Sequence, residues 1–172
     1  MRKLLGVVGI ATLGLLFLAT GIAVYGTNPL PERIPTHFDL SGHPDGYSSS
    51  TFIVIVPFVA LVLYGLITIV ARYPTLTHYP VEVTPENRSR LEHLALGMMA
   101  WLKVEMVGIF ACIQITLIHA ANHPEEVVSL LGLWIMLGTV IVTVIYYVVA
   151  MLLAVRSGEP AADSGPASGG SS

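Results

Sequence analysis

Four side chains that could bind a metal ion lie in one proline- and glycine-rich segment of the sequence. They are His37, Asp39, His43 and Asp45. Neutral imidazole nitrogens and carboxylate oxygens suit zinc and similar divalent ions, so these residues are weak candidate metal ligands. The alternative is structural, because Asp39 can cap a local turn and Asp45-Gly46 is a strong turn signal. Both interpretations stay open from the sequence.

A second group of polar side chains lies inside a long apolar segment. Lys103 and Glu105 are two positions apart, or about 200° around a helix, and Gln114 follows farther along. Ionisable groups at membrane depth are costly and are therefore functional candidates. Lys103 can extend towards the headgroup layer, whereas Glu105 must turn towards other helices or water. A polar contact between helices is the structural alternative for Gln114.

The sequence contains no pattern typical of catalysis or of cofactor binding. It has no HExxH motif, no phosphate-binding glycine loop, no dinucleotide fingerprint and no serine with a matched base. Its single cysteine, Cys112, allows neither an intramolecular disulfide nor a cysteine-based zinc cluster. We therefore predict that the protein is not an enzyme and uses no cofactor.

Composition places the chain in a lipid bilayer. Of its 172 residues, 54% are hydrophobic and only 11% are charged, whereas roughly a quarter of the residues in soluble domains are charged. The formal net charge of −3 at pH 7 gives no basic face for a phosphate backbone. We expect the bilayer, and no nucleic acid, as a partner.

Four segments are long and apolar enough to cross about 30 Å of hydrocarbon. They cover about residues 4–25, 52–71, 97–119 and 128–154. The first follows Met1-Arg2-Lys3, but its apolar stretch is longer than the core of a signal peptide, so we predict a retained helix. The fold class is then an all-α membrane protein with four transmembrane helices.

The positions of lysine and arginine predict the orientation, because short cytoplasmic loops retain positive charge during insertion. Only Arg33 falls in the loop between the first two helices. The other basic residues outside the spans share one side, namely Arg2, Lys3, Arg72, Arg88, Arg90 and Arg156. We therefore expect a multi-pass protein of the plasma membrane with both termini in the cytoplasm.

Three regions follow from this pattern. Residues 1–71 form a first helical hairpin with a Pro/Gly-rich outer loop, residues 72–156 form a second hairpin with a long third helix, and residues 157–172 form a disordered cytoplasmic tail. In the outer loop, Ile34, Phe38 and Tyr47 are predicted to anchor the loop on the interfacial layer of the membrane. The loop is expected to be built of turns, with the chain reversing at Asp45-Gly46.

Two helix starts are predicted from local signals. Thr84 is a good N-cap with Pro85 at the first helical position, so the third helix should run from Pro85 to about Ala121 and extend beyond the membrane. The extended turns would contact the membrane surface or a cytoplasmic partner. Pro124 is suited to open the fourth helix, with Glu125 and Glu126 in its first turn.

The outer loop also carries a family resemblance. The stretch Leu30-Pro31-Glu32-Arg33-Ile34-Pro35-Thr36-His37-Phe38, followed by Gly42, Pro44-Asp45-Gly46-Tyr47 and an apolar span, resembles the membrane family of domain of unknown function 1648. The resemblance covers about residues 13–60. This domain often occurs in SdpI-type bacterial proteins, which are associated with immunity to toxic peptides and with signalling.

The resemblance implies a small bacterial membrane protein that binds a protein or peptide partner at its outer face. The implied binding residues are Pro31, Ile34, Pro35, His37, Phe38, Gly42, Asp45, Gly46 and Tyr47. Two alternatives stay open. The protein could be a minor transporter or ion-binding subunit that uses Glu105, or an accessory subunit of a larger membrane complex.

Overall fold

The computed structural model describes residues 1–26, 30–73 and 78–156, so the predicted tail at 157–172 lies outside the described residues. The elements in chain order are α1 (Arg2–Tyr25), β1 (Arg33–Phe38), β2 (Pro44–Ser49), α2 (Phe52–Val70), α3 (Arg88–Asn122) and α4 (Leu131–Arg156). All four helices are long and apolar enough to cross a membrane. The four predicted helices are confirmed.

Helices that follow one another in the chain run antiparallel. The Tyr64 hydroxyl near the end of α2 donates a hydrogen bond to the Gly6 carbonyl near the start of α1, at 3.3 Å. At the opposite end of the bundle, Ala23 of α1 packs with Ile53 of α2. We call the end formed by Tyr25, Phe52, Asn122 and Leu131 the hairpin end, because the two strands lie there.

Helix α3 is the centre of the bundle. It contacts α1, α2, α4 and β1, and it contributes buried residues to all three apolar clusters. Leu117 lies in the cluster at the hairpin end, Val107 in the middle cluster and Leu91 in the cluster at the opposite end. The apolar positions around α3 are thus divided among several neighbours.

The loop between α1 and α2 is a β-hairpin, so the prediction of an all-α fold was wrong in this segment. Strands β1 and β2 pair antiparallel, from Arg33 opposite Ser49 to Phe38 opposite Pro44. The prolines there favour extended backbone, as expected, but the alternating strand residues also find cross-strand partners. Thr36 Oγ1, for example, donates to Ser48 Oγ at 3.0 Å.

The chain reverses at Asp39–Gly42 and not at Asp45-Gly46. The Gly42 amide donates to the Asp39 carbonyl at 3.0 Å, and Gly42 has a φ of 89°. Gly46 lies inside β2, opposite His37, where the strand register shifts. A Cβ on Gly46 would lie 2.9 Å from the Cβ of His37. Glycine is needed there because the two strands approach closely. The Asp-Gly pair alone does not show whether glycine serves this close approach or a turn.

The start of α3 at Arg88 corrects the predicted start at Pro85. The Asn87 side chain accepts a hydrogen bond from the Thr84 amide at 2.9 Å and donates one to the Glu82 carbonyl at 3.0 Å. These bonds hold the segment before Arg88 as a turn. Leu91 is fully buried against Met151 and Ala154 of α4, so the apolar face of the first turns is already covered within the protein.

The start of α4 at Leu131 corrects the prediction that Pro124 opens this helix. The Glu126 amide donates to the His123 carbonyl at 3.0 Å, which makes a turn, and the Val128 amide donates to the Gly42 carbonyl at 3.1 Å. The hairpin thus engages the backbone of Val128 before the helix begins. No acidic residue lies in the first turn of α4, so Glu125 and Glu126 do not cap it.

Candidate binding site at the hairpin end

Ile34 fixes the hairpin to the helices. Its side chain is fully buried (0% exposed) in a cluster with Ala23 of α1, Ile53 of α2 and Leu117 of α3. Phe38 is half-buried against the same cluster. Burial of an isoleucine side chain contributes about 1.5–3 kcal/mol. Ile34 and Phe38 therefore anchor the hairpin on the helices.

The hairpin turn makes a second attachment, to the connection between α3 and α4. The Gly42 carbonyl accepts the hydrogen bond from the Val128 amide, and both residues are buried. A Cβ on Gly42 would lie 2.1 Å from the Val128 carbonyl oxygen. The hairpin therefore reaches beyond α1 and α2 to the second helical pair, and backbone contact fixes its tip.

The exposed side of the hairpin is polar and aromatic. Along β2, exposed and half-buried residues alternate, with Asp45, Tyr47 and Ser49 on the exposed side. Tyr47 is 49% exposed and does not pack in the cluster around Ile34. The alternation of a strand explains this, because Tyr47 points away from the side that packs on the helices.

The four predicted metal ligands are divided into two pairs. His37 Nδ1 contacts Asp45 Oδ1 across the strands, while His43 Nδ1 lies 3.5 Å from Asp39 Oδ2 at the turn. Across residues 1–26, 30–73 and 78–156, no three His, Cys, Asp or Glu side chains are grouped so that they could hold a metal ion. The structure does not bring the four residues together as one site.

Asp39 has the structural role that the sequence offered as the alternative. Its Oδ1 accepts hydrogen bonds from the amides of His43 at 2.9 Å and Ser41 at 2.8 Å. These bonds, led by that of the His43 amide, hold the pKa of the Asp39 carboxyl below its usual range. Asp39 therefore organises the turn that presents the exposed strand residues.

The structure shows a polar cluster that sequence reasoning missed. Glu126 lies between two histidines, with 3.2 Å from its Oε2 to His119 Nε2 and 3.6 Å from its Oε1 to His123 Nδ1. Both histidines border a cavity of about 740 Å³ between α1 and α3, whose other lining residues include Ile22, Leu30 and Ile118. The spacing of His119 and His123, four apart at a helix end, is the signal that could have revealed this cluster.

The three polar residues predicted inside the membrane face three different helices. Lys103 Nζ donates to Thr68 Oγ1 of α2 at 3.3 Å. Glu105 Oε1 accepts a hydrogen bond from Thr143 Oγ1 of α4 at 2.6 Å. Gln114 Nε2 donates to Thr20 Oγ1 of α1 at 2.8 Å. The predicted separation of Lys103 from Glu105 and the predicted helix–helix contact of Gln114 are confirmed, and the three residues do not form one site.

Comparison with known proteins adds one finding. The family model described as a domain of unknown function (DUF1648) matches residues 13–61. Neither the curated proteins nor the solved structures contain a match to this chain. The matched segment runs from α1 through the hairpin into α2, so it contains both strands and part of the helices that hold Ile34. The predicted resemblance to the domain of unknown function DUF1648 is thus confirmed for residues 13–61.

Proposed function

We propose that this protein is a membrane-embedded binding protein whose hairpin docks a protein or peptide partner. The observation that carries the proposal is the fixed presentation of the hairpin. Ile34 and Gly42 attach it at two places, while His37, Asp45 and Tyr47 stay exposed. A pre-ordered surface loses little conformational entropy when a partner binds.

The chemistry of the exposed side suits a polypeptide. Tyr47 offers an aromatic surface with a hydroxyl group, a type of side chain enriched in protein interfaces. The His37–Asp45 pair and Arg33 add hydrogen-bonding groups on the same two strands. With the expected orientation, this surface faces the outside of a bacterial plasma membrane, where a membrane-active toxic peptide would arrive. The role is then immunity or signalling, without catalysis.

Photo-crosslinking in living cells tests this proposal. A photoreactive phenylalanine derivative replaces Tyr47 in one variant and Tyr73 in the control. The two tyrosines are comparably exposed, at 49% and 56%, but Tyr73 follows α2 at the opposite end of the bundle. We expect a discrete protein or peptide adduct from position 47 and none of the same mass from position 73.

A second variant links the adduct to the ordered hairpin. Ile34→Ala removes the buried anchor without changing any exposed side chain, so the adduct at position 47 should decrease strongly at equal expression. Crosslinking that gives the same products at positions 47 and 73, or that does not respond to Ile34→Ala, would refute binding at the hairpin.

A further inference from the structure

Glu105 is a buried carboxylate in the middle of the bundle. It is 8% exposed, and its Oε1 accepts the hydrogen bond from Thr143. Within the part of the chain that the structure describes, its other oxygen, Oε2, is buried and has no hydrogen-bond partner. A buried carboxylate oxygen without a partner is costly. A ligand that donates a hydrogen bond to Oε2 would therefore gain binding free energy at this site.

The same residue lines a groove of about 750 Å³ between α3 and α4. The walls are mainly apolar and aromatic, and the Thr143 hydroxyl lies next to the carboxylate. The residues that line it include Trp101, Glu105, Gly138, Thr139, Thr143 and Tyr146. Small ligands bind in sites of this kind, where an apolar wall surrounds a few convergent polar groups.

The part of the groove around Glu105 and Thr143 lies at membrane depth, while Met1, just before α1, lines another part of it. Thr143 is 12 residues after the start of α4 at Leu131, or about 18 Å at 1.5 Å per residue. Half of the hydrocarbon layer measures about 15 Å, so this position is close to the bilayer midplane. The headgroup of a lipid in its normal place does not reach this depth, and the occupant must itself dissolve in the hydrocarbon.

We propose that the α3–α4 groove binds a small amphiphilic amine, with its ammonium group at Glu105 and its apolar body along the helices. The ammonium would donate to Oε2 and neutralise the carboxylate. Trp101 and Tyr146 offer aromatic faces that attract an organic cation. An anionic amphiphile would be repelled by Glu105, and an alcohol would leave the carboxylate charge uncompensated.

Fluorescence quenching in lipid nanodiscs tests this inference. The chain has two tryptophans, and Trp134→Phe leaves Trp101 in the groove as the single reporter. The full-length protein in phosphatidylcholine is titrated with bromine-labelled dodecylammonium, dodecanol and dodecyl sulfonate at equal mole fractions in the bilayer. We expect saturable quenching by dodecylammonium at a concentration at least about tenfold lower than for the other two probes.

Two charge variants test whether Glu105 causes the preference for the ammonium probe. Glu105→Gln keeps an oxygen that accepts the Thr143 hydrogen bond but removes the charge, so the preference for ammonium should disappear. Glu92→Gln is the matched control, because it removes the same charge from the same helix at its ion pair with Arg88. It should retain the preference.

A third variant blocks the groove without touching the carboxylate. A Cβ on Gly138 would have no neighbouring atom within 4 Å, so there is space for a side chain at this position. Gly138→Phe should fill the groove and weaken quenching by all three probes. Equal binding of the three probes in the unmutated protein would mean that the groove takes any apolar chain and would overturn the proposal. So would an ammonium preference that survives Glu105→Gln or is lost in Glu92→Gln.

Discussion

Gly42 determines the geometry of the hairpin turn. Its φ of 89° lies in the left-handed region, where a residue with a side chain costs about 1–2 kcal/mol. A Cβ would also collide with the Val128 carbonyl. We predict that Gly42→Ala loosens the hairpin and speeds tryptic cleavage after Arg33 by about five- to thirtyfold, measured by the mass of the fragments.

Gly21→Ala is the control for this change. A Cβ on Gly21, within α1, would have no neighbouring atom within 4 Å. Alanine also favours a helix relative to glycine. Cleavage after Arg33 should therefore stay slow in this variant. Rapid cleavage in the unmutated protein would show that the hairpin is not fixed at Gly42.

The Asp39 carboxylate should make the turn sensitive to acid. Because hydrogen bonds hold its folded-state pKa below the ordinary 3.8, its stabilising contribution is present above that pH and is lost as the pH falls through the lower folded value. We predict that the amide proton shifts of Ser41 and His43 titrate together with a midpoint below 3.8 in NMR spectra. A midpoint at or above 3.8 would contradict the two hydrogen bonds, and Asp39→Asn should abolish the titration.

Single residues differed in how far their type and spacing revealed their roles. A turn-forming role for Asp39 was among the two interpretations that the sequence offered, because its side chain can act on amides only a few positions away. Ile34 was identified as an anchor from its apolar character. Gly46 was misinterpreted because its need for glycine arises from His37 on the facing strand, a contact that depends on register. Local chemistry was predictable, and cross-strand contacts were not.

The pairing of helices α1 and α3 can be tested at the Gln114–Thr20 hydrogen bond. Gln114 is 1% exposed, and its Nε2 donates to Thr20 Oγ1, while its Oε1 has no hydrogen-bond partner among the described residues. We predict that Gln114→Leu and Thr20→Val show a coupling energy of about 0.6 kcal/mol, and no more than about 1.7 kcal/mol, in a double-mutant cycle of unfolding in mixed micelles.

Thr12 supplies the control for that cycle. It is a half-buried threonine of α1 whose hydroxyl bonds only to the Val8 carbonyl of its own helix among the interactions found in the described residues. Thr12→Val should therefore be additive with Gln114→Leu. Additivity of Thr20→Val with Gln114→Leu would instead show that the two side chains do not interact in the folded protein.

Helix existence was predictable and helix starts were not. A long apolar run must satisfy its own backbone hydrogen bonds in lipid, so the four spans follow from composition. The starts of α3 and α4 depend on contacts outside the helices. Asn87 ties the segment before Arg88 to Glu82, and the hairpin engages Val128 before Leu131. The β-hairpin was missed because the alternation in β2 is weak and proline-rich segments are more often irregular.

The basic residues of the whole molecule are concentrated at one end of the bundle. The start of α1 carries Arg2 and Lys3, Arg72 follows α2, and α3 begins with Arg88. The antiparallel packing of the helices brings these residues to the end opposite the hairpin. Arg33 belongs to the hairpin itself. The fold thus gathers the charges that control membrane insertion onto one side.

This asymmetry predicts the orientation of the protein. Basic residues in short loops are retained in the cytoplasm during insertion, so the hairpin should face outwards and Arg156 inwards. A reporter that is active only outside the cytoplasm should therefore be active when inserted between Leu40 and Ser41, at the hairpin turn, and silent when fused after Arg156. The insertion lies at an exposed turn, which tolerates added sequence better than a strand or helix does. Activity after Arg156 with silence at the turn would show the opposite topology, with the hairpin in the cytoplasm. The proposed partner would then have to be sought in the cytoplasm.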